Sequence, residues 1–458
     1  MPSYKPDPKI LTLGSDFYDP VAAAGFPQCI PRFVNSRWAE RIGLGLDNSA
    51  WPRHFCRFEP LPDNLSEPLA LRYHGHQFRV YNPEIGDGRG FTFAQLRDER
   101  GRLLDLGTKG SGQTPYSRHA DGRLTLKGGV REVLATEMLE ALGVNTSKSF
   151  ALFETGEALE RGDEPSPTRS AVLTRLSHGH IRIGTFQRLA FLGDVENLKK
   201  LTSYCLQQLY SEKPADDDAE NALRLFDLVS AATATLAASY LSAGFVHGVL
   251  NSDNINVTGE SFDYGPWRFT PDWEPGFTAA YFDHYGLYAF GRQPEAIHWD
   301  LAQLAGCLSL FAEAPALSEM LAGWSDRFQQ ALVDALLKRL GIASGKQDRE
   351  IAGALIRALA TRVRQIDRVF FDWRGGHDPG PENYPADEFR DLAKLLKGRE
   401  APKSHPYWTE DAPCSMHIDE VEAIWSAIDE RDDWQPFTDK VKAVRRMGGA
   451  IEQDAPAA

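Results

Sequence analysis

His247-Gly248-Val249-Leu250-Asn251-Ser252-Asp253-Asn254, with Asp263-Tyr264-Gly265 following, is the stretch on which the reading of this chain turns. His247 and Asn254 stand seven positions apart, and Asp263 stands nine beyond Asn254. Residues 222–243, just upstream, are rich in Ala and Leu over a helical length. Residues 255–262 read as a hairpin turning at Gly259-Glu260. A polar loop between a long helix and a hairpin thus carries amide and carboxylate oxygens at fixed offsets. Hard oxygen donors of this kind suit a divalent cation beside phosphates.

The spacing matches the catalytic loop of protein kinases, His-x-Asp-x-x-x-x-Asn, followed at hairpin distance by a metal-binding Asp-Phe-Gly turn. In that loop the Asn faces the metal and the Asp faces the incoming hydroxyl. Here the Asp position is Val249, and an extra carboxylate stands at Asp253, immediately before Asn254. Asp263-Tyr264-Gly265 occupies the place of the metal-binding turn.

Working outward, residues 91–96 alternate as a strand, Asp98-Glu99-Arg100-Gly101 is a turn, and residues 103–109 return as a second strand. A helix is predicted over residues 130–142, with Val130, Val133, Leu134, Met138 and Leu142 on one stripe and Gly143 as its stop. Lys109 ends a strand and Glu132 follows 23 residues later on that helix, the order in which a kinase pairs its ATP lysine. Glu137 is the competing partner. Two glycine-rich segments, Gly86-Asp87-Gly88-Arg89-Gly90 and Thr108-Lys109-Gly110-Ser111-Gly112, let backbone amides approach an anion. Arg118, Arg123, Arg175 and Arg182 add planar guanidinium groups suited to phosphates, more than a conventional kinase uses.

Further strands are predicted at residues 150–153 and 171–176, with a polar loop at 161–168 between them. Helices are expected at 197–210, 222–243, 298–311, 315–340 and 349–371, with an acidic loop at 214–220. Breaks rich in Pro fall at 378–385 and 401–413, and residues 452–458 read as a loose tail. Residues 1–70 show a single clear helical stretch, around 37–44, and read as an extended segment wrapping a larger body. No repeat of fixed period occurs.

Composition narrows the classes. Apolar residues make up 42% and charged residues 25%, as in water-soluble folded domains. The formal charge of −14 disfavours nucleic acid and anionic membranes as partners. No window reaches the ~18 uninterrupted apolar residues of a membrane span, and residues 1–10 hold no apolar signal core. The five cysteines, Cys29, Cys56, Cys205, Cys307 and Cys414, are scattered and odd in number. That pattern argues against a disulfide framework or a zinc ribbon and for a reducing cytoplasm.

Taken together, these residues resemble the selenoprotein O family, the YdiU proteins of bacteria. The resemblance rests on Tyr73-His74-Gly75-His76-Gln77-Phe78, Gly86-Asp87-Gly88-Arg89, the string from Thr108 to Arg118, Asp121-Gly122-Arg123, Ser177-His178-Gly179-His180-Ile181-Arg182-Ile183-Gly184, and the opening stretch. It covers about residues 10–310. It implies a pseudokinase-fold protein adenylyltransferase that binds its nucleotide flipped relative to kinases, the α-phosphate presented to the acceptor. By the same resemblance, Gly86, Gly88, Arg89, Lys109, Asp121, Gly122, Arg175, Arg182 and Asp263 hold ATP, and Glu132 pairs with Lys109. Asn254 and Asp263 bind magnesium or manganese, and Asp253 is the proton acceptor. An Asn-Pro-x-x-x-Leu-Arg-Asn-Tyr stretch known in other members is missing, with Asn383-Tyr384-Pro385 a loose echo, and no terminal Cys motif occurs.

The expected fold is therefore α+β: a kinase-like two-lobed body, a β-rich N-lobe and a helical C-lobe, with extensions at both ends. The expected divisions are residues 1–70, 71–180, 181–375 and 376–458. The expected activity is ATP-dependent transfer of AMP to Ser, Thr or Tyr hydroxyls of proteins, by a cytoplasmic monomer. A phosphotransferase, or a nucleotide-binding module without catalysis, are the competing readings.

Overall fold

The hairpin that begins the β-region forms where the alternation predicts it. In this computed structural model, which describes residues 3–162 and 165–455, the strands preceding it are β1 (Tyr18–Pro20), β2 (Ile30–Val34), β3 (Leu69–Leu71), β4 (Gly75–Gln77) and β5 (Val80–Asn82). The hairpin itself is β6 (Thr92–Arg97) and β7 (Leu103–Lys109), closed by Gly101, which has a φ of 76° and donates its N–H to the Asp98 carbonyl. Then come β8 (Leu124–Thr125), β9 (Lys148–Leu159) and β10 (Thr168–Ser177). One antiparallel sheet runs β1-β3-β6-β7-β10-β9-β2, with β8 added to β10. Its two outer strands, β1 and β2, come from residues 1–70. That segment does more than wrap the body: it completes the sheet at both edges.

β7 is buried on both faces, as its unbroken burial requires. Leu104 and Leu106 join Trp51, Phe55 and Phe58 of the N-terminal segment, which adds helices α1 (Ser36–Arg41) and α2 (Ala50–Phe55). Leu103 joins the larger core on the other side, under α3 (Leu126–Ala141). Thr125 caps α3 by accepting the Gly128 N–H at 3.1 Å. The cysteine expectation needs correcting here: Cys29 and Cys56 are disulfide-bonded across 27 residues. Spacing could not reveal this pair, because β2 and α2 come together only when both pack on the sheet.

The helical region follows: α4 (Ile183–Phe191), α5 (Val195–Tyr204) and α6 (Asp218–Ala243). α6 starts inside the stretch expected to be an acidic loop, with Asp217 accepting the Ala219 N–H, and stops at Gly244 in the left-handed region. It is long and apolar enough to cross a membrane by length and composition, yet 67% of the relevant window is packed inside the protein. β11 (Phe245–Val246) pairs with β12 (Arg268–Phe269) across the polar loop. The hairpin expected at 255–262 does not form. Asn256 bridges to Arg182 and Ser261 bridges to Thr146, so the segment pairs outward to two other parts of the chain.

α7 (Gln293–Leu308) starts five residues before the helix expected at 298–311, while α8 (Ala314–Ala322) and α9 (Trp324–Leu340), then α10 (Asp348–Ala360) and α11 (Ile366–Asp372), divide the two longer helices expected at 315–340 and 349–371. α12 (Asp387–Leu396), α13 (Ile418–Arg431) and α14 (Gln435–Gln453) complete the chain. α13 and α14 return to cover the outer side of α3, which is why α3 is buried all round and not along a single stripe. Arg445 of α14 grips Glu137 through two bonds of 2.7 and 2.6 Å. The supposed loose tail is anchored as well: Asp454 is buried and accepts bonds from Ser404, His405 and Trp408. Residues 456–458 lie outside the described residues.

Candidate active site

Lys109 ends β7 and Glu132 sits in the second turn of α3, so the strand and the helix beneath it bring a cation and a carboxylate together. Lys109 Nζ lies 2.7 Å from Glu132 Oε2, with both side chains buried. The same Nζ lies 2.7 Å from Asp263 Oδ1, and Arg175 of β10 reaches Glu132 and Asp263 at 3.4 Å each. Two cations and two carboxylates form one cluster, with Lys109, Arg175 and Glu132 buried and Asp263, 29% exposed, on its cleft side. Glu137, the competitor, faces away toward Arg445. Burial pushes the Asp263 carboxyl up. Lys109 first, then Arg175, Arg89 and Arg182, outweigh that and hold it well below the usual carboxylate range.

Asp263 has a φ of 61°, a left-handed conformation that Asp tolerates better than most residues. The turn is held from below. The Tyr264 hydroxyl is bonded to Thr146 Oγ1 at 2.6 Å and Ser261 Oγ at 2.7 Å. His247 is buried and accounts for the other flank, with Nε2 2.9 Å from the Phe262 carbonyl and its backbone N–H donated to Gln293 Oε1 at 3.0 Å. Burial depresses its basicity, so the imidazole is a neutral bracket between loop and turn. Asn254 donates Nδ2 to the Val249 carbonyl at 3.0 Å, which directs its amide oxygen to the opposite side.

Asp253 is buried, and its Oδ1 has no hydrogen-bond partner. Burial raises its carboxyl to about 7, against the pull of Arg182. Arg182 is the keystone of this side. Its Nη1 donates to the Asp253 carbonyl at 3.1 Å and to the Tyr73 hydroxyl at 3.2 Å, and its Nη2 to Asp87 at 3.2 Å. Its guanidinium also stacks over Tyr73 at 4.3 Å and Phe262 at 4.8 Å.

The glycine-rich segments close the third side. A Cβ on Gly86 would stand 2.5 Å from the Tyr116 ring, so the loop can lie this close only without one. Gly122 has a φ of 70° and lies against Gly112. Asp121 is exposed, accepting the Arg123 N–H at 2.9 Å and facing Arg161 at 2.9 Å. Arg123 itself turns aside to Glu157.

These sides enclose one cleft of about 630 Å³. Asp253, Asp263, Lys109, Arg175, Arg182, Asp121, Gly122 and the loop with Gly86, Gly88 and Arg89 all line it. Glu132 lies one layer behind Lys109, and Asn254 is not on the wall. Sequence reasoning passed over Tyr73 and Asp87, which hold Arg182, although both sit in strings singled out for other residues. Phe262 and Arg161 carried no signal at all, since their roles depend on contacts between distant elements.

Comparison with known proteins adds an independent finding. A family model described as "Protein adenylyltransferase SelO" matches residues 3–379, further than the motifs alone reach. A "Protein nucleotidyltransferase YdiU" of Synechocystis sp. is 40% identical over 96% of this chain and 97% of its own length. Its namesake in Gloeobacter violaceus is 41% identical over 96% and 95%, and that of Synechococcus elongatus is 45% identical over 78% and 73%.

Proposed function

Because the chain belongs to the SelO family and is a nucleotidyltransferase, we propose that it moves AMP from ATP to Ser, Thr or Tyr hydroxyls of proteins. The acceptor oxygen attacks the α-phosphorus, the bond from that phosphorus to the bridging oxygen breaks, and pyrophosphate leaves. The hydroxyl proton passes to the Asp253 carboxylate. One observation carries the reading: Asp253, buried and with its Oδ1 unpartnered, lines the same cleft as Lys109, Arg175 and Arg182, while Val249 holds the position of a kinase base. The sheet with α3 is then the smaller lobe of a kinase-like body, and α4 to α11 are the larger.

Lys109, Arg175, Arg182 and Arg89 hold the phosphates in this proposal, with Gly86, Gly88, Asp121 and Gly122 shaping the nucleotide's bed. Such transfer depends on positioning and charge stabilisation more than on covalent chemistry. Among the described residues no group of three or more His, Cys, Asp or Glu could hold a metal alone. Asn254 and Asp263 offer an amide and a carboxylate oxygen, a donor pair that fits magnesium or manganese when phosphates complete the shell. Bound there, the cation neutralises charge developing on the phosphates.

ATP labelled at the α or the γ position distinguishes this from phosphotransfer, which the Lys109–Glu132 pair would equally serve. Label should reach protein from the α position alone. Transfer from the γ position alone overturns the proposal.

A further inference from the structure

The hairpin of β4 and β5 turns at two residues that ordinarily avoid such a turn. Phe78 and Arg79 have φ of 51° and 62°, the left-handed region that side chains with a Cβ avoid. Surrounding contacts enforce the conformation. The Phe78 N–H donates to Asn251 Oδ1 at 3.0 Å, the His76 N–H donates to Ser252 Oγ at 2.8 Å, and Arg79 pairs with Glu295 at 3.0 Å. Asn251 and Ser252 directly precede Asp253, so this strained tip is fastened to the loop that carries the proposed base.

What the strain presents is an apolar face. The Phe78 ring packs edge-on to Phe282 at 5.9 Å and Tyr288 at 5.1 Å. Tyr281 and Tyr285, on the segment after the Asp263 turn, are 79% and 93% exposed, and Val80 is 69% exposed. The segment is not loose: Arg292 donates to the Tyr285 and Gly286 carbonyls at 3.2 and 3.1 Å. Large apolar side chains gathered in water on a fixed backbone mark a recognition surface. It lies beside the cleft: Gln77 lines the cleft, and Asn251, two residues before Asp253, accepts both the Phe78 N–H and the Tyr288 hydroxyl.

We propose that Phe78, Val80, Tyr281, Phe282 and Tyr285 form the docking lip for the acceptor protein, taking the extended segment that flanks the modified hydroxyl. The inference rests on the proposed AMP transfer. The walls of the cleft are polar and cationic and suit the nucleotide, so the apolar lip at its mouth falls to the other substrate. The comparisons name relatives that act as protein nucleotidyltransferases, and a polypeptide brings the aliphatic or aromatic neighbours that such a lip can bury.

The test uses the full-length chain, α-labelled ATP and synthetic peptides built around one tyrosine or serine, with phenylalanine or alanine at each flanking position. The wild type should show a KM about tenfold lower for a peptide with a well-placed phenylalanine. A Tyr281→Ser, Tyr285→Ser double variant should lose that preference while its Kd for ATP, read by calorimetry, stays unchanged. Preference retained in the variant overturns the docking lip and leaves AMP transfer standing. A wild type that dimerises through these tyrosines, with the variant monomeric, assigns the face to a second copy and also overturns it. If the wild type moves no α-label to any peptide, the reading of the activity fails with it, before any variant is compared.

Discussion

Replacing one member of the buried cluster at the root of the cleft should harm the protein far more than replacing two. Lys109 and Arg175 face Glu132 and Asp263, so the cluster is balanced, with Lys109 only 4% and Glu132 0% exposed. Glu132→Leu leaves two cations sharing Asp263, and Lys109→Met leaves two carboxylates sharing Arg175. Breaking a buried pair from one side costs about 3–5 kcal/mol, because the surviving charge remains out of water. The double variant keeps Arg175 opposite Asp263 and fills the remaining space with apolar side chains of similar volume. Such replacement is commonly neutral or stabilising. An unfolding entropy of about 2.1 cal/mol/K per residue over 458 residues gives about 1 kcal/mol/K. Each single variant should therefore melt about 3–5 °C below the wild type, and the double variant within about 1–2 °C of it. Thermal unfolding followed by circular dichroism measures all four corners of the cycle. The double variant should also have lost its transfer activity, which separates stability from function. If the two single losses simply add in the double variant, the cluster is not the coupled unit described here.

Asp253→Asn should lower AMP transfer by about 10²–10⁴-fold, the range for loss of a positioned general base, with ATP binding by calorimetry little changed. Asp263→Asn, or removal of divalent cations with a chelator, should abolish α-label transfer, and restoring magnesium or manganese should rescue only the chelated wild type. Burial holds the imidazoles of His74 and His178 down to about 4, against an unfolded value near 6.5. The folded state thus binds fewer protons between those values. Stability should fall as pH drops from about 6.5 toward 4, by up to about 1.4 kcal/mol per pH unit for each histidine, and urea titrations across that range test the sign. Replacing Cys29 and Cys56 by serine opens a closure of 27 residues, worth up to about 3.5 kcal/mol on loop entropy, which denaturant midpoints with and without reductant should report.

Parts of the chain fixed by short-range rules were readable, and parts fixed by distant partners were not. The turn from Asp98 to Gly101 declares its hairpin within four residues, and the oxygens of the polar loop declare themselves by offset alone. Residues 255–262 alternate as convincingly, but alternation names no partner, and Asn256 and Ser261 found theirs at Arg182 and Thr146. Asp454 looks like part of a polar tail until Trp408 and His405 fold back to it. The apolar stripe made α3 legible as a helix, but the residues that meet the sheet are Gly129, against Leu152, and Thr136, bonded to Ser149. The stripe is equally silent about Glu137, which Arg445 reaches from 308 residues away.

The arrangement of charge on the cleft also explains why the nucleotide and the metal should depend on each other. Asp263 Oδ1 already has Lys109 at 2.7 Å, so a cation arriving at Asp263 must compete with that ammonium group. Lys109 can yield only if another anion receives it, and Glu132 alone already faces Arg175 as well. Under the proposed function a phosphate in the cleft would be that second anion. It would also meet Arg89 and Arg118, which among the described residues form no ion pair and are exposed on the cleft wall. Each bound partner would thus relieve a cost imposed on the other. A loop missing the aspartate of a kinase would be inert if that were all that changed. Here Arg182 grips the backbone of Asp253 from one side, and Asn251 and Ser252 tie the preceding residues to the hairpin at Phe78 on the other. The backbone that carries the carboxyl group is thus held from both sides while Oδ1 stays unclaimed, which is the condition a displaced base has to meet.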